Sequence, residues 1–538
     1  GGKVYTMNAA QPWAQSVAVK EGRIVYVGSD AGAAAFIKPD TQRVQLAGKL
    51  MLPGFIDTHA HPIMAAGQSE MFELDLTAEI EDWLAAIRRE VEAKPERSSY
   101  MGMGYLASKF GAKGPTKEML DDIEAEKPLV VMDEGFHSMW MNTRAMELAE
   151  INKDTKDPIP GKHFYMRDAQ GNPTGWALEA MAFMPVLMRL GMVSAESIAA
   201  GAEDVFSLFS GFGITTVYDA GMSQYESIAW PALAALDQKG ALPFRVFGSH
   251  MIQDPSQLPK AIATLQGYQT KYQSERVYPQ VMKIHNDGTK EAFTAAQFED
   301  YVGQGGNKGA LLLEGKELQD FVIAVDKAGF DIHIHAIGDR AVDEALDAFE
   351  AARGAVPVSK QRYSIGHTEL IRDQDLARFG QLDVVAQTTP YWFATDGKTE
   401  IAAIGKERAD KLYRFRKVID LGGKVSFGSD FPATGEAFGV YPLANIEMGM
   451  TRKYYGEPEM PVTPPIKSVL SIQEMLRGYT LDAAYQLNME NHLGSLEVGK
   501  YADMVVLGGD LFESPVYEIH GIGVEMTISG GVVVYRGE

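Results

Sequence analysis

The chain has 538 residues, enough for one large domain and an accessory one, and carries 50 basic against 72 acidic side chains, a formal charge of −22. That balance repels phosphate backbones and anionic lipid, so nucleic acid and membrane surfaces are excluded as partners. A hydrophobic share of 46% excludes wholesale disorder, and the lack of cysteine removes disulfides, thiolate chemistry and iron–sulfur ligation.

No uninterrupted apolar run reaches the length of about 18 residues that a spanning helix needs. Cytoplasm and bacterial periplasm both stay open as compartments. The opening Gly1-Gly2-Lys3-Val4-Tyr5 reads as the interior of a strand, so further residues are expected upstream. The 26 methionines read as adaptable core filler.

Residues 1–50 read as short strands. Ser16-Val17-Ala18-Val19-Lys20 and Arg23-Ile24-Val25-Tyr26-Val27-Gly28 are joined by a Glu21-Gly22 turn. The far end is similar, with strands at 502–507, 525–529 and 532–535 and a Gly530-Gly531 turn. Neither end buries a core alone, so one small β-sandwich is expected from 1–50 plus 490–538.

Between the ends, apolar strands alternate with amphipathic helical stretches, the pattern of a parallel sheet covered on both faces. Candidate strands are 52–58, 214–219, 243–248, 279–285, 330–335, 362–367, 383–388 and 424–430. Eight such units predict an α/β fold, a (β/α)8 TIM barrel spanning 51–489. The gap after the first strand is far longer than one crossover needs. It has strands of its own at 100–105 and 128–133 and helices at 79–93 and 194–209, so 62–210 reads as an inserted α/β subdomain over the barrel mouth.

Two His-x-His pairs stand out, His59-Ala60-His61 and His333-Ile334-His335. Chance gives about 0.2 such pairs for 11 histidines in 538 residues. Residues i and i+2 of a strand share a face, so each pair is built to grip one ion. Imidazole suits zinc, iron, nickel or manganese. The strand ends, where barrel chemistry converges, present His59, His61, Lys283, His335, His367 and Asp430. Singly, His367 reads as a core histidine and Asp430 as a loop cap; together they read as a site.

These residues carry a resemblance. Pro53-Gly54-Phe55-Ile56-Asp57-Thr58-His59-Ala60-His61 resembles the opening metal motif of the amidohydrolase superfamily. Met282-Lys283-Ile284, His335-Ala336-Ile337-Gly338-Asp339-Arg340 and Gly428-Ser429-Asp430-Phe431-Pro432 resemble its later motifs. The His-Ala-Ile-Gly-Asp form, with Lys283 before an Asn286-Asp287-Gly288 turn, is similar to the branch containing N-substituted formamide deformylases. The run from Leu496 to Val506 resembles the superfamily's return to its sandwich, so nearly the whole chain is covered.

The resemblance implies a binuclear site with two Zn2+ per chain, or iron, manganese or nickel in their place. His59 and His61 would bind the more buried metal, His335 and His367 the other. A carboxylated Lys283 would bridge them, because a carbamate supplies two anionic oxygens where an ammonium supplies none. Asp430 would bind the buried metal and carry the proton. The implied chemistry is hydrolysis of a non-peptide carbon–nitrogen bond in a small amide, N-acyl or N-formyl compound by metal-activated hydroxide. Homo-oligomerisation is a family-level expectation.

His333, one layer deeper than His335 on the same face, is expected to support the ligands rather than join them. The chain departs from the branch at His285, where a hydrophobic or aromatic residue is usual, and at Thr368-Glu369, where small or amide side chains are. His285 shares the face of Lys283 and is expected to touch substrate. In the insert, His137 and Trp140 resemble pocket-lining residues of the branch; the alternative is a helix start capped by Ser138. Gly102-Met103-Gly104 lacks the context of a nucleotide loop, and there is no Gly-x-Ser-x-Gly elbow. Two alternatives stand beside the binuclear reading: a mononuclear deaminase-type site on His59, His61, His335 and Asp430, and a non-catalytic barrel scaffold.

Overall fold

The computed structural model describes residues 1–67, 71–133, 138–160, 163–222, 225–395, 397–434, 437–462 and 466–537. They divide into two units: Gly1–Pro62 with Phe206–Ser223 and Leu233–Glu538, and Ile63–Val205 with Gln224–Ala232. No helix among the described residues is long and apolar enough to cross a membrane.

The first unit holds eight parallel strands, hydrogen-bonded in chain order. They are β1 (Phe55–Ala60), β2 (Ile214–Asp219), β3 (Arg245–Ile252), β4 (Val277–His285), β5 (Asp331–Ala336), β6 (Tyr363–His367), β7 (Val384–Thr388) and β8 (Lys424–Phe427). Every residue of β1, β2, β5, β6 and β7 is buried, as strands covered on both faces require. The crossover helices cover the sheet with one apolar stripe each. Gly315–Lys327 buries Leu318, Phe321, Val322 and Val325, and Asp339–Ala355 buries Val342, Ala345, Leu346 and Phe349, both at the i, i+3, i+4, i+7 spacing.

The result is a nearly closed eight-stranded barrel. Among the described residues β1 and β8 share no ladder. The seam is bridged just beyond the strands, where Asp430 N–H donates to the His59 carbonyl at 2.6 Å and His61 N–H to the Phe431 carbonyl at 2.8 Å.

Two strand expectations need correction. The run 52–58 is not one strand: Leu50–Pro53 belongs to another sheet, and the barrel strand begins at Phe55. Gly54 turns the chain between them at a spot where a Cβ would lie 2.3 Å from Thr215 Oγ1. The run 424–430 stops as a strand at Phe427, because Ser429 and Asp430 turn across the seam to bond residues of β1.

Both chain ends enter one six-stranded sheet. Its order is Trp13–Ala14, Lys3–Tyr5, Leu50–Pro53, Met504–Leu507, Val524–Ser529 and Val532–Arg536. The hairpin Ser16–Lys20/Arg23–Gly28 packs against it around Val4, Ile24, Met51, Met504, Val506 and Ile528. Its turn, Glu21-Gly22, has both φ angles positive, as does Gly530-Gly531, which suits two-residue hairpin loops.

The second unit has its own six-stranded sheet, ordered Phe164–Arg167, Pro173–Leu178, Ser138–Met141, Leu129–Asp133, Tyr100–Tyr105 and Phe72–Glu73. Its core gathers Trp83, Ile87, Tyr100, Leu120, Val131 and Trp140. Ser138 caps no helix here. It opens a strand, and the helix Thr143–Leu148 is capped instead by Asn142, whose side chain accepts from Ala145 N–H at 2.8 Å.

Within the first unit the buried Asp503 carboxylate accepts from the buried Arg245 guanidinium at the foot of β3 and from Gly530 N–H at 2.6 Å. Asp503→Ala strands that cation, and breaking a buried pair costs about 3–5 kcal/mol. Its thermal midpoint should fall clearly in a melting experiment. Lys316→Ala, which breaks an exposed pair with Asp320, should leave the midpoint unchanged.

Candidate metal centre

Strand register sets the layers of the barrel interior. Lys283 lies beside His333 and Ser364, and two residues on, His285 lies beside His335 and Gly366. His59 and His61 come from the end of β1, His367 from the end of β6, and Asp430 from the turn after β8. His367, Thr368 and Asp430 hold φ of 66°, 48° and 55°. Such left-handed residues cost about 1–3 kcal/mol each and persist only where the surroundings over-determine them.

Asp430 is the hub. Its Oδ1 lies 3.5 Å from both His59 Nε2 and His61 Nε2, and its Oδ2 lies 3.9 Å from His367 Nδ1. Ligand atoms of His59, His367 and Asp430 all fall within 4.8 Å of one another. The His335 ring centroid is 4.5 Å from that of His367.

The other ring nitrogens are tied down. His59 Nδ1 is 3.0 Å from Gln387 Oε1, His61 Nδ1 is 2.9 Å from the Gly221 carbonyl, and His335 Nδ1 is 2.9 Å from Asp287 Oδ1. Gln387 donates its amide N–H to the Thr388 carbonyl, so its oxygen accepts and His59 carries the proton on Nδ1. Nε2 of His59 and of His61 is thereby turned toward Asp430, the arrangement of imidazoles that hold a divalent cation. Three imidazoles, a carboxylate and a further imidazole on His367 fit such an ion by donor chemistry.

Both ring nitrogens of His333 meet neighbouring side chains. Its Nδ1 is 2.7 Å from Ser364 Oγ and its Nε2 is 3.2 Å from His59 Nδ1. It occupies the space that a side chain at Gly366 would take, since a Cβ there would come within 2.5 Å of His333 Nε2.

Burial sets the charge states. It pushes His59, His333 and His367 well below the usual histidine range, reinforced by the Lys283 charge at His59 and His333 and by His335 at His367, so these rings stay neutral. Burial likewise pushes the Lys283 amine down to about 7, against the pull of Asp430. At Asp430 burial raises the carboxyl, but the electrostatic pull of the His367 ring and the hydrogen bond from His61 prevail and hold it below its ordinary value.

His285 is half-buried beside the centre, its ring 4.4 Å from that of His335. Trp140 is fully buried in the core of the second unit, with its indole N–H on the Thr116 carbonyl at 2.7 Å. His137 lies outside the described residues.

Three supporting residues had no role assigned from sequence. Asp57 accepts from His59 N–H at 3.0 Å and from Ser429 N–H at 3.1 Å; burial pushes it up to about 7. Asp287 accepts from Ala296, Ile337 and Gly338 N–H besides holding His335. Gln387 orients His59. The available signals were an acid two residues before a ligand on the same strand face and an acid in the Asn286-Asp287-Gly288 turn. Gln387 had none.

The Amidohydrolase family profile matches residues 42–535. The exoenzymes regulatory protein AepA of Pectobacterium carotovorum subsp. carotovorum is 32% identical over 407 residues, 74% of this chain and 86% of that one. The N-substituted formamide deformylase of Arthrobacter pascens is 27% identical over 561 residues, 99% of this chain and 97% of that one. A metal-dependent hydrolase from Pyrococcus horikoshii OT3 shares the fold with a TM-score of 0.77 at 23% identity, covering 96% of this chain and 98% of that one. Profile and relatives together place the chain in the amidohydrolase family, as a hydrolase acting on carbon–nitrogen bonds.

Proposed function

We propose that the enzyme hydrolyses a small non-peptide amide, N-acyl or N-formyl compound at a centre of two divalent cations, zinc first among the metals its ligands suit. His59, His61 and Asp430 would hold one ion, His335 and His367 the other, and Lys283, carboxylated on Nζ, would lie between them. Bound there, divalent cations lower the pKa of a shared water and polarise a carbonyl.

The observation that carries this reading is Lys283. Its side chain is buried inside the barrel, and burial lowers its pKa to about 7. Near neutrality about half of such amines are uncharged, the form that adds to CO2 to give a carbamate and release a proton. An uncarboxylated ammonium would instead be a buried cation among imidazoles.

Asp430 is ionised at neutral pH and borders His59, His61 and His367, which suits it to take a proton and return it to the leaving nitrogen. His285, half-buried on the layer above Lys283, is placed to meet the substrate. The formamide deformylase relative supports a small acyl group on nitrogen as the starting point for a substrate panel.

Elemental analysis of protein purified without chelator should find two metal equivalents per chain. Lys283→Ala should lose them together with hydrolysis of N-formyl and N-acyl amines. One equivalent that survives Lys283→Ala favours the mononuclear reading, in which the lysine stays an amine. Asp430→Asn should lower kcat by about 10²–10⁴-fold on the same panel.

Reloading carries a pH signature of its own. At fixed dissolved CO2, stripped enzyme given zinc should regain metal slowly at pH 6, where Lys283 is mostly ammonium. Uptake should rise through about pH 7 and level off by about pH 8 as the amine becomes neutral. A rate flat across this range would count against carboxylation.

A further inference from the structure

We infer that the buried ion pair Lys290–Glu369 is a positioning device for one half of the metal centre, the half formed by His335 and His367. The inference rests on the binuclear reading proposed above.

Glu369 is a departure that the sequence comparison left without a role. Its carboxylate lies 2.5 Å from Lys290 Nζ, and both side chains are buried. Lys290 also meets the half-exposed Glu291 at 2.7 Å and the Tyr413 hydroxyl at 3.5 Å. The Glu369 carbonyl accepts from Tyr413 N–H at 2.8 Å. Two residues before Glu369 stands His367. Three residues before Lys290 stands Asp287, which holds His335 Nδ1.

The loop after β4 therefore grips both imidazoles, one directly through Asp287 and one through the Lys290–Glu369 pair. His367 and Thr368 need such a grip, because their left-handed backbone would otherwise relax. Thr368 adds to it, its hydroxyl donating to the Ile365 carbonyl at 2.7 Å. His61 is held from elsewhere by the Gly221 carbonyl, and His59 by His333 and by Gln387, whose oxygen also accepts from His367 N–H at 3.3 Å. The pair should thus govern one ion and not the other.

Buried ion pairs often add little net stability against an apolar substitute, so stability alone does not account for this one. Holding a ligand's neighbours in register is a further use, and loss of a supporting contact typically weakens metal binding about 10–100-fold.

The test is zinc titration of the stripped, carbonated full chain against a competing chelator, with thermal midpoints recorded alongside. Glu369→Gln should weaken one of the two equivalents by about 10–100-fold and leave the other unchanged. Glu369→Gln is also expected to melt early, because Lys290 then keeps a single, half-exposed carboxylate partner. The double variant Lys290→Met with Glu369→Met should recover the melting temperature but keep one weak equivalent.

Normal binding of both equivalents by Glu369→Gln, parallel weakening of both, or full recovery in the double variant would each overturn the inference. In all three cases wild-type still binds two ions and the binuclear reading stands. A wild-type chain that binds a single equivalent overturns both.

Discussion

A barrel has to close, and in this one the closure is made by a carboxylate. β1 and β8 meet without a ladder among the described residues. Asp57 binds the backbone of His59 on one side of the seam and of Ser429 on the other. Two peptide hydrogen bonds, Asp430 to His59 and His61 to Phe431, complete the join. The peptides that seal the barrel thus carry three of the candidate ligands. Sealing the fold and bringing Asp430 against His59 and His61 are one event.

Asp287 does for β4 and β5 what Asp57 does for the seam. Each is a fully buried acid that burial raises to about 7, and each is partly compensated by backbone N–H groups of neighbouring loops. The interior above the apolar base is expensive in the same way. Lys283, His59, His333 and Ser364 are all buried where hydrocarbon would be cheaper. The cost is limited because the imidazoles remain neutral and each fixed ring nitrogen has a partner. Neutral imidazoles with one nitrogen committed are also what cation binding needs, so the compromise that keeps the fold stable also prepares the site.

The strands were legible because a buried parallel strand is an apolar run between breaks, and that property is local. Gly54 shows the limit: residues 50–56 read as one apolar run, and only the Pro53-Gly54 dipeptide within it marks the passage from one sheet to the next. The candidate ligands could be picked out because His-x-His is also local and the others stand at the ends of recognisable strands. Their supports could not. Gln387 reaches His59 across 328 positions of sequence, and no local pattern in a single chain encodes such a pairing. The last barrel strand was carried too far because the alternation through Phe427 was extended into Gly428-Ser429-Asp430, residues that themselves favour a turn. In the insert, the apolar run around Trp140 was compatible with both helix and strand, and pairing with Leu129–Asp133 made it a strand.

The sheet shared by the two chain ends has a consequence for synthesis. Leu50–Pro53 pairs with Met504–Leu507, so a strand made early must wait for a partner made far later in the chain. At about 5–20 residues per second that wait is on the order of half a minute or more. For all of it Val4, Ile24 and Met51 lack the partners that cover them in the finished protein. The barrel strands, each pairing with its neighbour in sequence, face no such delay. Nascent chains stalled before residue 504 would therefore be the natural clients of a holding chaperone, and the amino-terminal strands the segment it should be found gripping.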